Sequence, residues 1–265
     1  MQKYNNLKKK GEIFIRESPE KFKLEDSTIW SFPERGNWAT HSGKYRGNWS
    51  PYIPRNIILR YSKKNDWILD QFLGSGTTLI EAKLLGRNAI GIDINSDAVK
   101  LSDTNLNFTC RETSKIFTKL GNANDLSFIK DKSIDLVCTH PPYADIIRYS
   151  ENIEGDISHL RYEDFLESLE KVAAESFRVL KKSGICAFMI GDIRRRGYVL
   201  PLGMNAMQKF IDAGFKLKEI IIKEQHNCQG TKYWREIDKT FLMLAHEYIF
   251  ILEKVNVMKR CKSIQ

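Results

Sequence analysis

Short apolar runs alternate with amphipathic stretches from residue 67 to residue 253, and turn residues punctuate the two. The spacing predicts strands over 67–72, 89–94, 134–139, 185–190, 217–223 and 247–253. It predicts helices over 77–85, 97–106, 163–180 and 202–213. The helix over 163–180 has the clearest pattern, with Leu166, Leu169, Val172, Ala173, Phe177 and Leu180 recurring on one face. Acids stand at its start and Lys181-Lys182 follow its end, the order that the helix dipole favours. Gly86 and Gly214 stop two of the other helices. Strand and helix alternating in this way predict an α/β fold, a parallel sheet with helices on both faces. The first 60 residues differ. They are irregular and aromatic, with Trp30, Trp38 and Trp49 set among Gly36, Gly43, Gly47, Pro33, Pro51 and Pro54. The expected organisation is an extension over 1–45, one domain over 46–255 and a basic tail over 256–265.

Composition narrows the class. With 265 residues and 42% hydrophobic content the chain can bury a real core. Its longest apolar run, 185–190, is far too short to cross a bilayer. The basic N-terminus leads into no apolar segment, so neither a signal peptide nor a membrane partner is expected, and the expected location is cytoplasmic. Five scattered cysteines without a Cys-x-x-Cys pair predict reduced thiols, no disulfide framework and no metal. A net charge of +9 suits a polyanionic partner without identifying one.

Asp70-Gln-Phe-Leu-Gly74-Ser-Gly76-Thr-Thr78 lies where the first strand gives way to a helix. Glycines there let backbone approach a ligand, and the helix start offers free N–H groups. Gly-Lys-Ser/Thr is missing, and Leu79 occupies the last place of Gly-x-Gly-x-x-Gly, so neither a P-loop nor a dinucleotide fingerprint is present. The next strand ends in Gly91-Ile-Asp93, an acid placed to accept from ribose hydroxyls, and Asp70 is placed to face a ligand's amine.

The glycine segment resembles motif I of the amino-methylating DNA methyltransferases of the N4-cytosine and N6-adenine type, whose usual form is Asp-Pro-Phe-x-Gly-Ser-Gly-Thr-Thr. Gln71 replaces the family's proline. The resemblance implies a Rossmann-like S-adenosylmethionine methyltransferase fold, mostly parallel with a late antiparallel strand, and S-adenosyl-L-methionine as cofactor. It implies that Asp70, Phe72, Gly74, Ser75, Gly76, Thr77 and Thr78 pack against the methionine part. Asp93 with Ile94 would take the ribose, and Asn122 with Ala123 the adenine, in Gly121-Asn-Ala-Asn-Asp125. Which of Asn122, Asn124 and Asp125 accepts from the adenine amine is left open by the residues. Trp49, Ser50 and Pro51 stand where motif X binds the methionine end, so the motif order is X, I, II, III, IV.

Motif IV is the run Thr-His140-Pro-Pro-Tyr143, at the end of an apolar strand. An exocyclic amine is a poor nucleophile because its lone pair is delocalised into the ring. Accepting hydrogen bonds from both its N–H groups frees that pair to attack a sulfonium methyl in line. Pro141 and Pro142 stiffen a loop that presents the Pro141 carbonyl, and Tyr143 can stack on a base flipped from the duplex. His140 stands where the family has Asp, Asn or Ser. A neutral imidazole has one acceptor nitrogen and a protonated one has none. With an ordinary histidine value, turnover would fail below roughly pH 6.5; the alternative is that His140 contacts only cofactor. No cysteine follows a proline, which excludes the C5-cytosine route.

Too few residues lie between these motifs for a separate recognition domain, so base reading would fall to loops. Arg194, Arg195 and Arg196 follow another strand end and are placed to neutralise phosphates, and Lys232, Tyr233 and Trp234 mix charge with aromatics in a long loop. The expected function is methylation of a flipped base in double-stranded DNA, cytosine N4 ahead of adenine N6, without covalent intermediate. A restriction endonuclease and a second copy of the chain are further partners the resemblance admits. An RNA guanine-N2 methyltransferase, a protein-glutamine methyltransferase and an inactive nucleic-acid-binding subunit are the alternatives.

Overall fold

The computed structural model describes residues 15–144, 153–226 and 242–255. After a two-residue strand β1 (Ile29–Trp30) and helix α1 (Tyr52–Tyr61), strands and helices alternate: β2 (Trp67–Asp70), α2 (Thr77–Leu84), β3 (Asn88–Asp93), α3 (Ser96–Leu106), β4 (Ile116–Leu120) and β5 (Ile134–Thr139). Then come α4 (Tyr162–Val179), β6 (Leu180–Ile190), a hairpin of β7 (Ile193–Arg195) and β8 (Tyr198–Leu200), α5 (Leu202–Asp212), β9 (Lys216–Glu224) and β10 (His246–Glu253).

Eight strands form one sheet in the order β1-β9-β10-β6-β5-β2-β3-β4. Strand β10 runs antiparallel to both β6 and β9, whereas β5 and β6, β2 and β5, β2 and β3, β3 and β4, and β1 and β9 pair in parallel. The expected fold, with its late antiparallel strand, is present. Both faces are covered, which is why the central strands read as unbroken apolar runs. Helices α4 and α5 pack Phe165, Leu169, Val172, Leu202, Ala206 and Phe210 against one face. Helices α1 and α2 pack Ile53, Ile57, Ile58, Leu79 and Ile80 against the other.

The pattern does not predict the short strands β1, β7 and β8, and four longer elements differ from it. Helix α1 forms in the stretch read as irregular; Pro54 is tolerated because a first-turn N–H has no intrahelical partner. Strand β4 escapes the pattern because it is an edge strand with Phe117 and Leu120 both more than half exposed. Strand β2 ends at Asp70, and β6 begins five residues early, at Leu180. Its extra length passes through a register irregularity against β5, where Ser183 has φ 61°.

The aromatic N-terminal stretch is locked to α2 by a buried carboxylate. Glu81 accepts from Trp38 Nε1 at 2.6 Å and from the Arg55 guanidinium at 2.8 Å, and its Oε1 lies 2.7 Å from His41 Nε2. The Glu81 and His41 side chains are fully enclosed. Removing one partner of a buried ion pair strands the other. Glu81→Gln should therefore lower stability by about 3 kcal/mol, read as a fall in the urea midpoint with the slope unchanged.

Candidate active site

Strands β2 and β5 are parallel neighbours whose chains leave in opposite directions, β2 into α2 on one face and β5 toward α4 on the other. A crevice at the carboxyl ends of the strands follows from that parting. The cleft there encloses about 770 Å³, part of it open to solvent.

Its floor is the glycine turn. Leu73 N–H donates to the Ile92 carbonyl and Gly76 N–H to the Leu73 carbonyl, each at 2.9 Å. Gly76 has φ 85°, and a Cβ there would stand 2.4 Å from Ser102 Oγ, so glycine is required. On Gly74 (φ 50°) a Cβ would stand 3.1 Å from the Tyr45 ring, which closes the cleft above it. Asn48 joins this segment to the turn: its amide donates to Ser75 Oγ at 2.7 Å and its carbonyl accepts from Thr77 Oγ1 at 2.5 Å.

Two carboxylates face the cleft from strand ends. Asp93 accepts from Gly74 N–H at 2.8 Å and from Asn95 N–H at 2.9 Å, and burial raises its carboxyl above the usual range. Asp70 accepts from Thr139 Oγ1 at 2.8 Å, which ties β2 to β5. Burial pushes Asp70 up to about 6, against the opposing pull of its hydrogen bonds. Beyond Asp93, Asn122 lines the cleft while Asp125 is exposed and caps Ser127 N–H; Asn124 is engaged by Ser168. Gly155, Asp156 and Ile157 close this end, with Gly155 set close against the Asn122 amide. Asp156 is a buried carboxylate that sequence reasoning missed; its one local signal is the N-cap it gives to Ser158 N–H at 2.8 Å.

At the other end the His140 ring lies parallel to Trp49, with centroids 5.4 Å apart and planes at 18°. His140 Nε2 lies 3.0 Å from the Tyr143 hydroxyl, which donates to Glu247 Oε1 at 2.6 Å, and Lys223 donates to Glu247 Oε2 at 2.8 Å. Burial favours the neutral carboxyl of Glu247, yet Lys223, His140 and the Tyr143 hydroxyl together hold it below its ordinary value. Burial, with Lys223 and Arg35 adding to it, brings His140 down to about 4, although Glu247 pulls the other way.

Of the residues singled out from sequence, Trp49, Asp70, Phe72, Gly74, Thr77, Asp93, Ile94, Asn122, Ala123, His140 and Pro142 come together around the cleft. Ser50 instead donates to the Arg35 carbonyl, Pro51 starts α1, and Ser75, Gly76, Thr78 and Pro141 are buried and do not line the cleft. Tyr143 sits against Gly191 and Glu247, at the back of His140. Arg194, Arg195 and Arg196 occupy the β7–β8 hairpin, whose tip presents Tyr198 at 79% exposure. The Arg194 guanidinium donates to the carbonyls of Gly197 and Leu242. Lys232, Tyr233 and Trp234 lie outside the described residues. Among the described residues no group of His, Cys, Asp and Glu is arranged to hold a metal, and no helix is long and apolar enough to cross a membrane.

A family model described as DNA methylase matches residues 1–104 and 134–260. A type II methyltransferase, M.MthZI of Methanothermobacter thermautotrophicus, is 29% identical over 143 residues, 46% of this chain and 40% of that protein. A tRNA (guanine(10)-N2)-dimethyltransferase of the same species is 33% identical over 132 residues, 49% of this chain and 37% of that protein. The chain thus spans about two-fifths of the length of these curated relatives. Among solved structures, an S-adenosylmethionine-dependent methyltransferase from Methanosarcina mazei superposes with a TM-score of 0.52 at 18% identity, covering 75% of this chain and 97% of that one, a likeness of fold.

The acid limit expected at roughly pH 6.5 moves with the lowered His140 value. The ring stays neutral, with an acceptor nitrogen, until the pH approaches about 4. Between 6.5 and 4 an unfolded chain would bind the proton and the folded one would not, so this group costs stability as the pH falls through that window. The ring-proton NMR titration of His140 should have its midpoint near 4; a midpoint near 6.5 would contradict the buried environment.

Proposed function

The chain belongs to the DNA methylase family whose model it matches over most of its length, and on that premise we propose that it transfers a methyl group from S-adenosylmethionine to an exocyclic amine of a DNA base. The observation that carries this reading is the His140 side chain at the Pro-Pro-Tyr turn, lining the same cleft as the glycine turn and Asp93.

The residues present fit the cofactor. At Gly74, on the cleft wall, a φ of 50° and the Tyr45 ring leave a side chain no unstrained place, and the cleft runs past the ends of β2 and β3 to Asn122 beyond β4. Gly74, Thr77, Trp49 and Asp70 would hold the methionine end, with the Asp70 carboxylate facing its amine. Asp93 would accept from the ribose; a carboxylate has about four lone-pair sites, so the backbone donors Gly74, Asn95 and Ile94 leave one for a ribose hydroxyl. Asn122 and Asp156 would receive the adenine, Asp156 supplying the negative acceptor that Asn122 lacks. When bound, S-adenosylmethionine would supply an electrophilic methyl group whose leaving group is a neutral thioether.

The chain's own part is to prepare the nucleophile. His140 and the Pro141 carbonyl accept from the two N–H groups of the amine, drawing its nitrogen toward tetrahedral geometry. The same two acceptors would hold the nitrogen lone pair toward the cofactor's methyl and pass the amine's surplus proton to solvent once the methyl is accepted. Trp49 buttresses the imidazole from one face and the proline pair fixes the loop. Arg195 and Arg196, both exposed on the β7–β8 hairpin, would supply phosphate contacts in this reading, while Arg194 bonds to the hairpin's own Gly197 carbonyl. Cytosine N4 is favoured over adenine N6 because Thr-His-Pro-Pro-Tyr stands nearer the Ser-Pro-Pro-Tyr form.

Incubation with methyl-labelled S-adenosylmethionine and unmethylated DNA, followed by nucleoside mass spectrometry, should place label in N4-methylcytosine. Label in N6-methyladenine would reverse the base preference. Label only in guanosine of added tRNA would move the substrate to the RNA class of the tRNA relative.

Asp70 gives a second expectation. A bound ammonium favours the ionised carboxylate, so below about 6 binding must also expel a proton from Asp70. Cofactor affinity measured by calorimetry should weaken about tenfold per pH unit below that value and be flat above it. Equal affinity on both sides of about 6 would remove Asp70 from the amine site.

A further inference from the structure

We propose that Glu247, acting through the Tyr143 hydroxyl, sets the tautomer of His140 so that Nδ1 is the nitrogen offered to the target amine. The inference rests on the methyl-transfer reading for its consequence, and on hydrogen-bond direction for its content. Glu247 is 8% exposed, and its carboxylate can only accept. It accepts the single proton of the Tyr143 hydroxyl at Oε1 and the Lys223 ammonium at Oε2. With that proton committed, the Tyr143 oxygen faces His140 Nε2 with a lone pair, at 3.0 Å. Nε2 must then carry the ring proton, and in a neutral imidazole Nδ1 is the acceptor. His140 lines the cleft, so the nitrogen left with its lone pair belongs to the ring edge that is not tied to Tyr143.

The chain of donors therefore has a fixed polarity: Lys223 into Glu247, Tyr143 into Glu247, His140 into Tyr143. Its origin lies on β9 and β10, and it reaches the catalytic turn across 104 residues of sequence. Tyr143 serves here as a positioning residue, with its ring held edge-on to the imidazole at 73° and packed close to Gly191. A wrongly placed proton on His140 would turn the acceptor into a donor aimed at an amine that also donates.

Glu247→Gln tests this with little change of shape. Lys223 demands an oxygen, so the new carboxamide turns its carbonyl to Lys223 and its NH₂ to Tyr143. The Tyr143 hydroxyl must then donate to Nε2, and the ring proton moves to Nδ1. In ¹⁵N-histidine-labelled wild type, His140 should give a pyrrole-type signal at Nε2 and a pyridine-type signal at Nδ1. The two signals should exchange places in Glu247→Gln, and kcat for DNA methylation should fall roughly 100-fold with the cofactor Kd unchanged. Tyr143→Phe, which cuts the link while leaving the Glu247 carboxylate its Lys223 partner, should give a mixture of both forms and an intermediate kcat. A wild-type ring protonated at Nδ1, or a Glu247→Gln ring that keeps its proton on Nε2, overturns the proposal, as does a switched tautomer with kcat unchanged. If wild type shows the expected tautomer but methylates no DNA, the methyl-transfer reading fails, and with it the catalytic consequence assigned to Glu247.

Discussion

The parting of β2 and β5 is the constraint on which everything else rests. The two strands are hydrogen-bonded neighbours in the middle of the sheet, yet the chain after each turns to a different face. That parting leaves a crevice between two packed layers at their carboxyl ends. The Thr139 hydroxyl donating to Asp70 bridges that gap at 2.8 Å, and Gln71 N–H donates to the same hydroxyl at 3.2 Å. The glycine turn and the Pro-Pro-Tyr turn are the two lips of one opening because the strands that carry them are held together there.

Burial then shapes the chemistry of that opening. The same desolvation acts on Asp70, Asp93 and His140, but with opposite consequences for their titration. It raises the carboxyls and lowers the imidazole, so each group moves toward its neutral form. Glu247 is the exception, kept ionised by Lys223 and by its hydrogen bond from Tyr143. Behind the catalytic turn the structure thus keeps a buried negative charge on Glu247, paired with Lys223.

The late antiparallel strand gains a role from this arrangement. Strand β10 inserts between β6 and β9, which brings Glu247 and Lys223 opposite each other as direct register partners. It also places Glu247 near Gly191, the residue that follows β6 and lies against Tyr143. The sheet's far half is therefore part of the site, although none of its side chains lines the cleft.

Much of this was legible in the residues themselves. The strand and helix pattern, the parallel core, the glycine turn with its following acid, and the stiff proline turn are local features, and local sterics and periodicity express them within a few neighbouring positions. Helix α1 and edge strand β4 were hidden because prolines and exposed side chains blur the same signals. What only the tertiary structure decided are pairings between residues far apart: Asn48 with Ser75 and Thr77, Glu81 with Trp38 and Arg55, Asp156 beside Asn122, and Glu247 with Tyr143. A lone carboxylate on a strand or in a loop carries no mark of its partner. Its role is set by which backbone and side-chain donors the folded sheet brings within hydrogen-bond distance, and no spacing along the chain encodes that.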